Sequence, residues 1–91
     1  MTLQCFSVFD SAAGAFLRPF WAETIEMAIR TFRQIVQDPE HQFGQFPEDY
    51  TLFHLGSVDQ KTGELETLAT PHSLGLAVTF LPQTPKVVND A

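Results

Sequence analysis

Hydrophobic residues along this chain follow two periods. From Leu3 to Phe9 the period is two. Phe6 and Val8 fall on one side of an extended chain, and Cys5, Ser7 and Phe9 fall on the other. From Ile25 the period lengthens. Ile25, Ala28, Ile29, Phe32 and Val36 stand at i, i+3, i+4, i+7 and i+11, the stripe of an amphipathic helix, and Ile35 widens it. Arg30, Arg33, Gln34 and Gln37 lie largely off the stripe. Thr24 is the expected N-cap, and Glu26 suits the positive end of the helix dipole. Asp38-Pro39 ends the helix, because a residue before proline avoids the helical region.

The remaining segments read as strands and turns. Asp10 to Gly14 is a turn, and Ala15 to Trp21 folds back as a short second strand. Pro19 has no N–H for a ladder, so this strand is an edge or stops there. His41 to Asp49 is a polar loop carrying Phe43 and Phe46. Tyr50 to Val58 is a strand, Asp59 to Gly63 a hairpin turn, and Glu64 to Ala69 the returning strand. After Thr70 the signals fade, and Pro71, Pro82 and Pro85 punctuate a tail whose apolar run is Leu74 to Leu81. The order β-β-α-β-β predicts an α+β fold. Two β-hairpins form one antiparallel sheet, and one amphipathic helix packs on one face. The expected organisation is an α+β domain at 1–69 and an irregular C-terminal tail at 70–91.

Composition narrows the function. Ninety-one residues make one domain, small enough that dimerisation is expected to matter. Eleven acidic against five basic residues leave a formal charge of −6, which repels phosphate on average. The basic side chains are Arg18, Arg30, Arg33, Lys61 and Lys86. One cysteine, Cys5, excludes an internal disulfide and a multi-thiolate metal site, and fits a reducing cytoplasm. Neither a secretory leader nor an apolar run of ~20 residues is present, so no membrane partner is expected.

Catalytic constellations are absent from the sequence. His41, His54 and His72 have no histidine at i+3 or i+4, so a zinc site would have to be assembled from distant segments. Cys5 has no base placed beside it, and Ser7, Ser11, Ser57 and Ser73 lack a nucleophile-elbow context. No P-loop or dinucleotide fingerprint occurs. The expectation is a non-enzyme with no cofactor and no metal. One constellation remains. Phe16, Arg18, Phe20 and Trp21 share a short strand, and Arg30 and Arg33 lie on the helix that follows. Rings that stack on bases, with arginines at the phosphates, bind single-stranded nucleic acid. The opposing reading makes the rings core and the arginines a solvated helix face.

Several stretches carry a family likeness. They are Phe6-Ser7-Val8-Phe9-Asp10, Phe16-x-x-Pro19-Phe20, Glu26-x-Ala28-x-Arg30-x-Phe32 with the Asp38-Pro39 stop, Pro47-Glu48-Asp49-Tyr50-x-Leu52-Phe53-x-Leu55-Gly56, and Asp59-x-x-Thr62-Gly63-Glu64. In this order the chain resembles the small non-structural, DNA-binding protein of gokushovirus-type Microviridae, over roughly residues 5–68. The resemblance implies a phage-encoded, non-enzymatic protein in the host bacterial cytoplasm. It implies action in genome replication, binding single-stranded DNA or assisting the switch to single-strand synthesis and packaging.

Three readings follow. In the first, Arg18, Arg30 and Arg33 hold phosphate, Phe20 and Trp21 stack on bases, and the protein is a homodimer on single-stranded DNA. In the second, it is a homodimeric protein–protein adaptor that contacts phage replication initiator or capsid proteins and binds no DNA. In the third, Glu23, Glu26, Asp38, Glu40, Glu48 and Asp49 mimic DNA phosphates.

Overall fold

The computed structural model describes residues 1–82. The architecture is α+β: β1 (Thr2–Asp10), β2 (Ala15–Phe16), β3 (Phe20–Ala22), α1 (Ile25–Val36), α2 (Gln42–Gln45), β4 (Tyr50–Asp59) and β5 (Leu65–Leu76), closed by a 3-10 turn at Ala77–Phe80. All pairings are antiparallel. β1 and β4 are central, β5 forms one edge, and β2 and β3 together form the other.

The two hairpin turns are built alike. Asp10 Oδ1 accepts from the Ala12 and Ala13 N–H groups at 3.0 and 3.3 Å, and Gly14 closes the turn with φ 69°. Asp59 Oδ1 accepts from Lys61 and Thr62 at 2.8 and 3.3 Å, and Gly63 closes with φ 80°. Both turns therefore read Asp-x-x-x-Gly, with the carboxylate satisfying backbone donors that the chain reversal leaves free. These donors hold the Asp59 carboxyl below the usual carboxylate range. A depressed folded-state value stabilises the fold above the unfolded carboxyl's titration, and the contribution disappears as pH falls through the folded value. Asp59→Asn is therefore expected to lose less stability than wild type between pH 6 and pH 3, as read by urea unfolding at each pH.

α1 begins where Thr24 Oγ1 accepts from Met27 N–H at 3.1 Å. It buries Ala28, Phe32 and Val36 against the sheet, with Ile25, Ile29 and Ile35 flanking them. From the sheet come Phe6, Val8, Tyr50 and Leu52, all on the helix side. Phe6, Phe32 and Leu52 are essentially solvent-free, and burial of such a side chain contributes about 1.5–3 kcal/mol.

Three expectations change. The second strand is broken: β2 ends at Phe16, and Leu17-Arg18-Pro19 bulges out before β3 begins. There the Ser7 hydroxyl donates to the Leu17 carbonyl at 2.6 Å, which explains a fully buried serine. The loop after α1 holds a helical turn, α2, capped where His41 Nδ1 accepts from Phe43 N–H at 3.0 Å. It drives Phe43 into the core and leaves Phe46 exposed.

The third change moves the domain boundary. The expected end at residue 69 lies inside β5, which pairs with β4 through Leu76, and Ala77 is fully buried. The fold therefore includes residues 70–80, and the tail expected from Thr70 does not begin there. Residues 83–91 of that tail lie outside the described residues. The strand signal fades in the sequence because β5 carries a large bulge. Between the pairs Gly56↔Thr67 and His54↔His72, β5 spends Leu68, Ala69, Thr70 and Pro71 where β4 spends only Leu55. That insertion breaks the alternation, and an edge strand tolerates the proline within it. His72 consequently stands in a strand opposite His54, not in a loop.

Candidate interaction surface

The five residues expected to form one nucleic-acid patch lie in separate places. Phe20 and Trp21 are consecutive in β3 and point to opposite faces. Phe20 turns toward the helix, where its ring stacks on Phe6 at 5.6 Å and packs against the core. Trp21 points to the other face and is 44% exposed. Arg30 and Arg33 sit on the solvent side of α1. The Arg33 guanidinium lies 5.7 Å from the centre of the Phe80 ring, a cation–π contact that ties α1 to the 3-10 turn. Arg18 occupies the bulge between β2 and β3. It borders an apolar cavity of about 390 Å³ formed with Val8, Phe20, Phe32, Ile35 and Phe43. The arginines and the exposed ring therefore do not converge.

A different surface does form. Alternation in β1 places Leu3, Cys5, Ser7 and Phe9 on the sheet face opposite α1. β4 adds Phe53, Leu55 and Val58, β2 adds Phe16, and β5 adds Leu65. Phe9, Phe16 and Phe53 form one edge-to-face cluster, with ring centres 5.0, 5.4 and 6.5 Å apart. Phe16 is 43% exposed and Leu65 65% exposed. No helix lies over this face among the described residues, although Ser7 at its centre is fully buried beneath the Leu17 carbonyl and the neighbouring side chains. An antiparallel sheet with one free face normally turns polar residues outward. Here the outward residues are mostly apolar, with Ser7, Thr51, Thr67 and Ser73 among them.

The face also has relief. The rings of Phe9, Phe16 and Phe53 gather over β1 between Ser7 and Phe9. Toward Cys5, a hollow of about 240 Å³ is bordered by Cys5, Pro19, Trp21, Leu55, Gly56, Leu65 and Thr67. Gly56 sits opposite Cys5 in the ladder and contributes no side chain to fill it. Burial pushes the Cys5 thiol above its usual range, so it is a poor nucleophile at neutral pH.

Electrostatics distinguish the two sides. No lysine or arginine of the described residues alternates onto the bare face, and Glu66 only borders the hollow. The acidic side chains Asp59, Glu64 and Glu66 gather instead around a polar depression with Thr2 and Ser57. Among the described residues, no three histidine, cysteine or carboxylate side chains gather into a metal-holding group. His54 Nε2 lies 2.8 Å from Gln4 Oε1 and 3.1 Å from the Gly56 carbonyl. A carbonyl only accepts, so Nε2 carries the proton. The ring lies 5.1 Å from Phe6, which makes His54 part of the packing.

The cluster was partly legible in the sequence, since Phe9 is outward by simple alternation and Phe16 lies in the aromatic constellation. Phe53 was missed as a partner because only the strand order brings β4 next to β1.

These features define a small α+β domain with one helix-covered and one bare aromatic sheet face. The chain belongs to the phage ORF5 protein family, which it matches over residues 3–80, from β1 to the end of the 3-10 turn. It is thus a phage protein. No curated protein and no solved structure matches it. No helix among the described residues is long and apolar enough to cross a membrane.

Proposed function

We propose that this phage protein is a non-enzymatic accessory of genome replication, in a virus of the gokushovirus type, acting in the host cytoplasm as a protein–protein adaptor. Its working surface is the bare sheet face. The observation that carries this reading is the chemistry of that face, which is broad, aromatic and without a cation. A phosphodiester chain laid there would find rings but no counter-charge, on a molecule of formal charge −6. A protein surface of similar apolarity needs no counter-charge. The partners in view are the phage replication initiator and capsid proteins.

The test is co-purification of the full chain with each of those phage proteins, for wild type and Leu65→Asp. Leu65 is exposed, so the substitution leaves the core untouched. Wild type is expected to retain a phage protein and Leu65→Asp to lose most of it. Equal retention by both removes the face from the function.

A second reading keeps single-stranded DNA as the ligand, and the exposed rings of Phe16 and Trp21 favour it. Stacking contributes ~1–3 kcal/mol per base whatever the sequence. On the adaptor reading, an oligothymidylate gives no gel shift at micromolar protein in low salt. On the DNA reading it shifts, and replacing Phe16 and Trp21 by alanine weakens binding by ~1–3 kcal/mol for each base that loses its stacking partner.

A further inference from the structure

We propose that the apolar cavity bordered by Arg18 binds a small amphiphilic anion, a hydrocarbon chain or ring system of roughly ten to fifteen non-hydrogen atoms whose carboxylate meets Arg18 at the mouth. The site lies on the helix side of the sheet, so it is independent of the partner reading of the bare face.

The way the cavity is built is the first support. Val8 points toward α1, at the level where the neighbouring edge strand is broken. β2 pairs with β1 at Phe9 and Asp10, and β3 pairs with it from Gln4 to Phe6. Between them the chain passes through the Leu17-Arg18-Pro19 bulge. The Leu17 N–H donates to the Val8 carbonyl at 2.8 Å, and the Leu17 carbonyl accepts from the Ser7 hydroxyl at 2.6 Å. Both peptide groups that flank Leu17 are therefore held. The bulge stays in place, Arg18 starts from a fixed point, and the space between the bulge and α1 remains open.

Size is the second support. Protein interiors are close-packed and leave few voids larger than a water molecule. This cavity is about 390 Å³, within the ~300–1,000 Å³ of small-molecule sites. An apolar cavity of ~150 Å³ holds one benzene, so this volume suits roughly ten to fifteen non-hydrogen atoms. That is a whole small molecule rather than one side chain of a partner protein.

Chemistry is the third support. The buried part of the lining is Val8, Phe32 and Phe43, and the half-buried part is Phe20 and Ile35, all hydrocarbon. Arg18 and Thr31 are exposed and supply the polar side-chain atoms of the mouth. No carboxylate lines the cavity, and among the described residues Arg18 makes no ion pair or hydrogen bond. A guanidinium keeps its charge at any working pH. On a chain with 11 acidic side chains, this arginine thus stands without one, beside an apolar cavity. A cationic ligand would be repelled there, and a neutral one would leave the charge unmatched. A carboxylate matches it, because the guanidinium can donate to both oxygens in parallel. The Thr31 hydroxyl offers one more donor at the mouth.

The experiment is a titration of the full chain with octanoate, octanol and octyltrimethylammonium, each below its aggregation limit, followed by methyl NMR. Octanoate is expected to shift the Val8 and Ile35 signals along a saturable curve, while the Leu65 methyls on the bare face stay still. Arg18→Ala should weaken octanoate about fivefold, the upper end for an exposed charge pair, and leave octanol within about twofold. Arg18→Glu should weaken octanoate further and favour octyltrimethylammonium over it. Thr31→Phe sets a ring at the mouth and should weaken all three. Arg18 and Thr31 are exposed, so these variants should keep the wild-type circular dichroism. No shift at Val8 or Ile35 with ~3 mM octanoate overturns the proposal, as do shifts centred on Leu65. Equal weakening of octanoate and octanol by Arg18→Ala overturns the assignment of an anion. Capture of a phage protein through the bare face is read separately with Leu65→Asp, so either result can fail without the other.

Discussion

Phe32→Ala is expected to cost the fold about 3–5 kcal/mol, the range for removing a fully buried aromatic ring. Phe32 is 1% exposed, at the centre of the buried helix stripe. Its ring meets Phe43 from α2 and Phe80 from the 3-10 turn, each at 5.6 Å between centres. Three segments that are separate in the chain therefore depend on one side chain. A domain of this size has ~5–15 kcal/mol in total, so the variant should be largely unfolded or close to it at 37 °C. Urea unfolding followed by circular dichroism checks the loss. A cost below 1 kcal/mol would mean that Phe32 does not hold these segments together.

The second large effect is expected at Gly56, on the opposite side of the sheet. β4 is irregular there, because its pairing shifts register against both β1 and β5. The irregularity brings the β5 backbone close: a Cβ at Gly56 would land on the Glu66 carbonyl oxygen and within 3.0 Å of Thr67 Cα. Backbone cannot swing aside as a flexible side chain does. Gly56→Ala therefore has to separate β4 from β5 at this level, at the upper end of the ~1–3 kcal/mol typical of overpacking. Hydrogen exchange should show lost amide protection in β5 near Glu66, with α1 protected as before. Unchanged protection there would mean that the strands do not approach so closely. Glycine at this site also leaves the hollow open, so one residue serves both strand pairing and the shape of the bare face.

Much of the fold was legible because it is local. The α1 stripe, the Thr24 cap, the Asp38-Pro39 stop and both Asp-x-x-x-Gly turns are each set by a few neighbouring residues, and each occurs where the pattern placed it. What was hidden depends on pairing across distance. β5 could not be followed past Ala69 because its bulge breaks the period and Pro71 resembles an ending. α2 was hidden because four residues carry too little periodicity. The candidate site suffered most. Arg18, Phe20 and Trp21 are close in sequence, but a strand sends neighbours to opposite faces. The bulge at Leu17-Arg18-Pro19 separates them further. Conversely, Phe53 joins Phe9 and Phe16 only because β4 lies beside β1. The clue that was available is the apolar outward row of β1 itself, where Leu3, Cys5 and Phe9 occupy positions that a solvated sheet fills with polar residues.

The central claim is that the sheet face opposite α1 is covered by protein, and Trp21, the only tryptophan, reports on it directly. The measurement is the Trp21 emission maximum of the full chain, with any added protein's own emission subtracted, on titration with the phage replication initiator or capsid protein and, separately, with single-stranded DNA. The expected result is a blue shift on adding one of those phage proteins, as the half-exposed indole passes from water to apolar contact. Emission that stays red with each phage protein, and that shifts only when single-stranded DNA is added, would contradict the account.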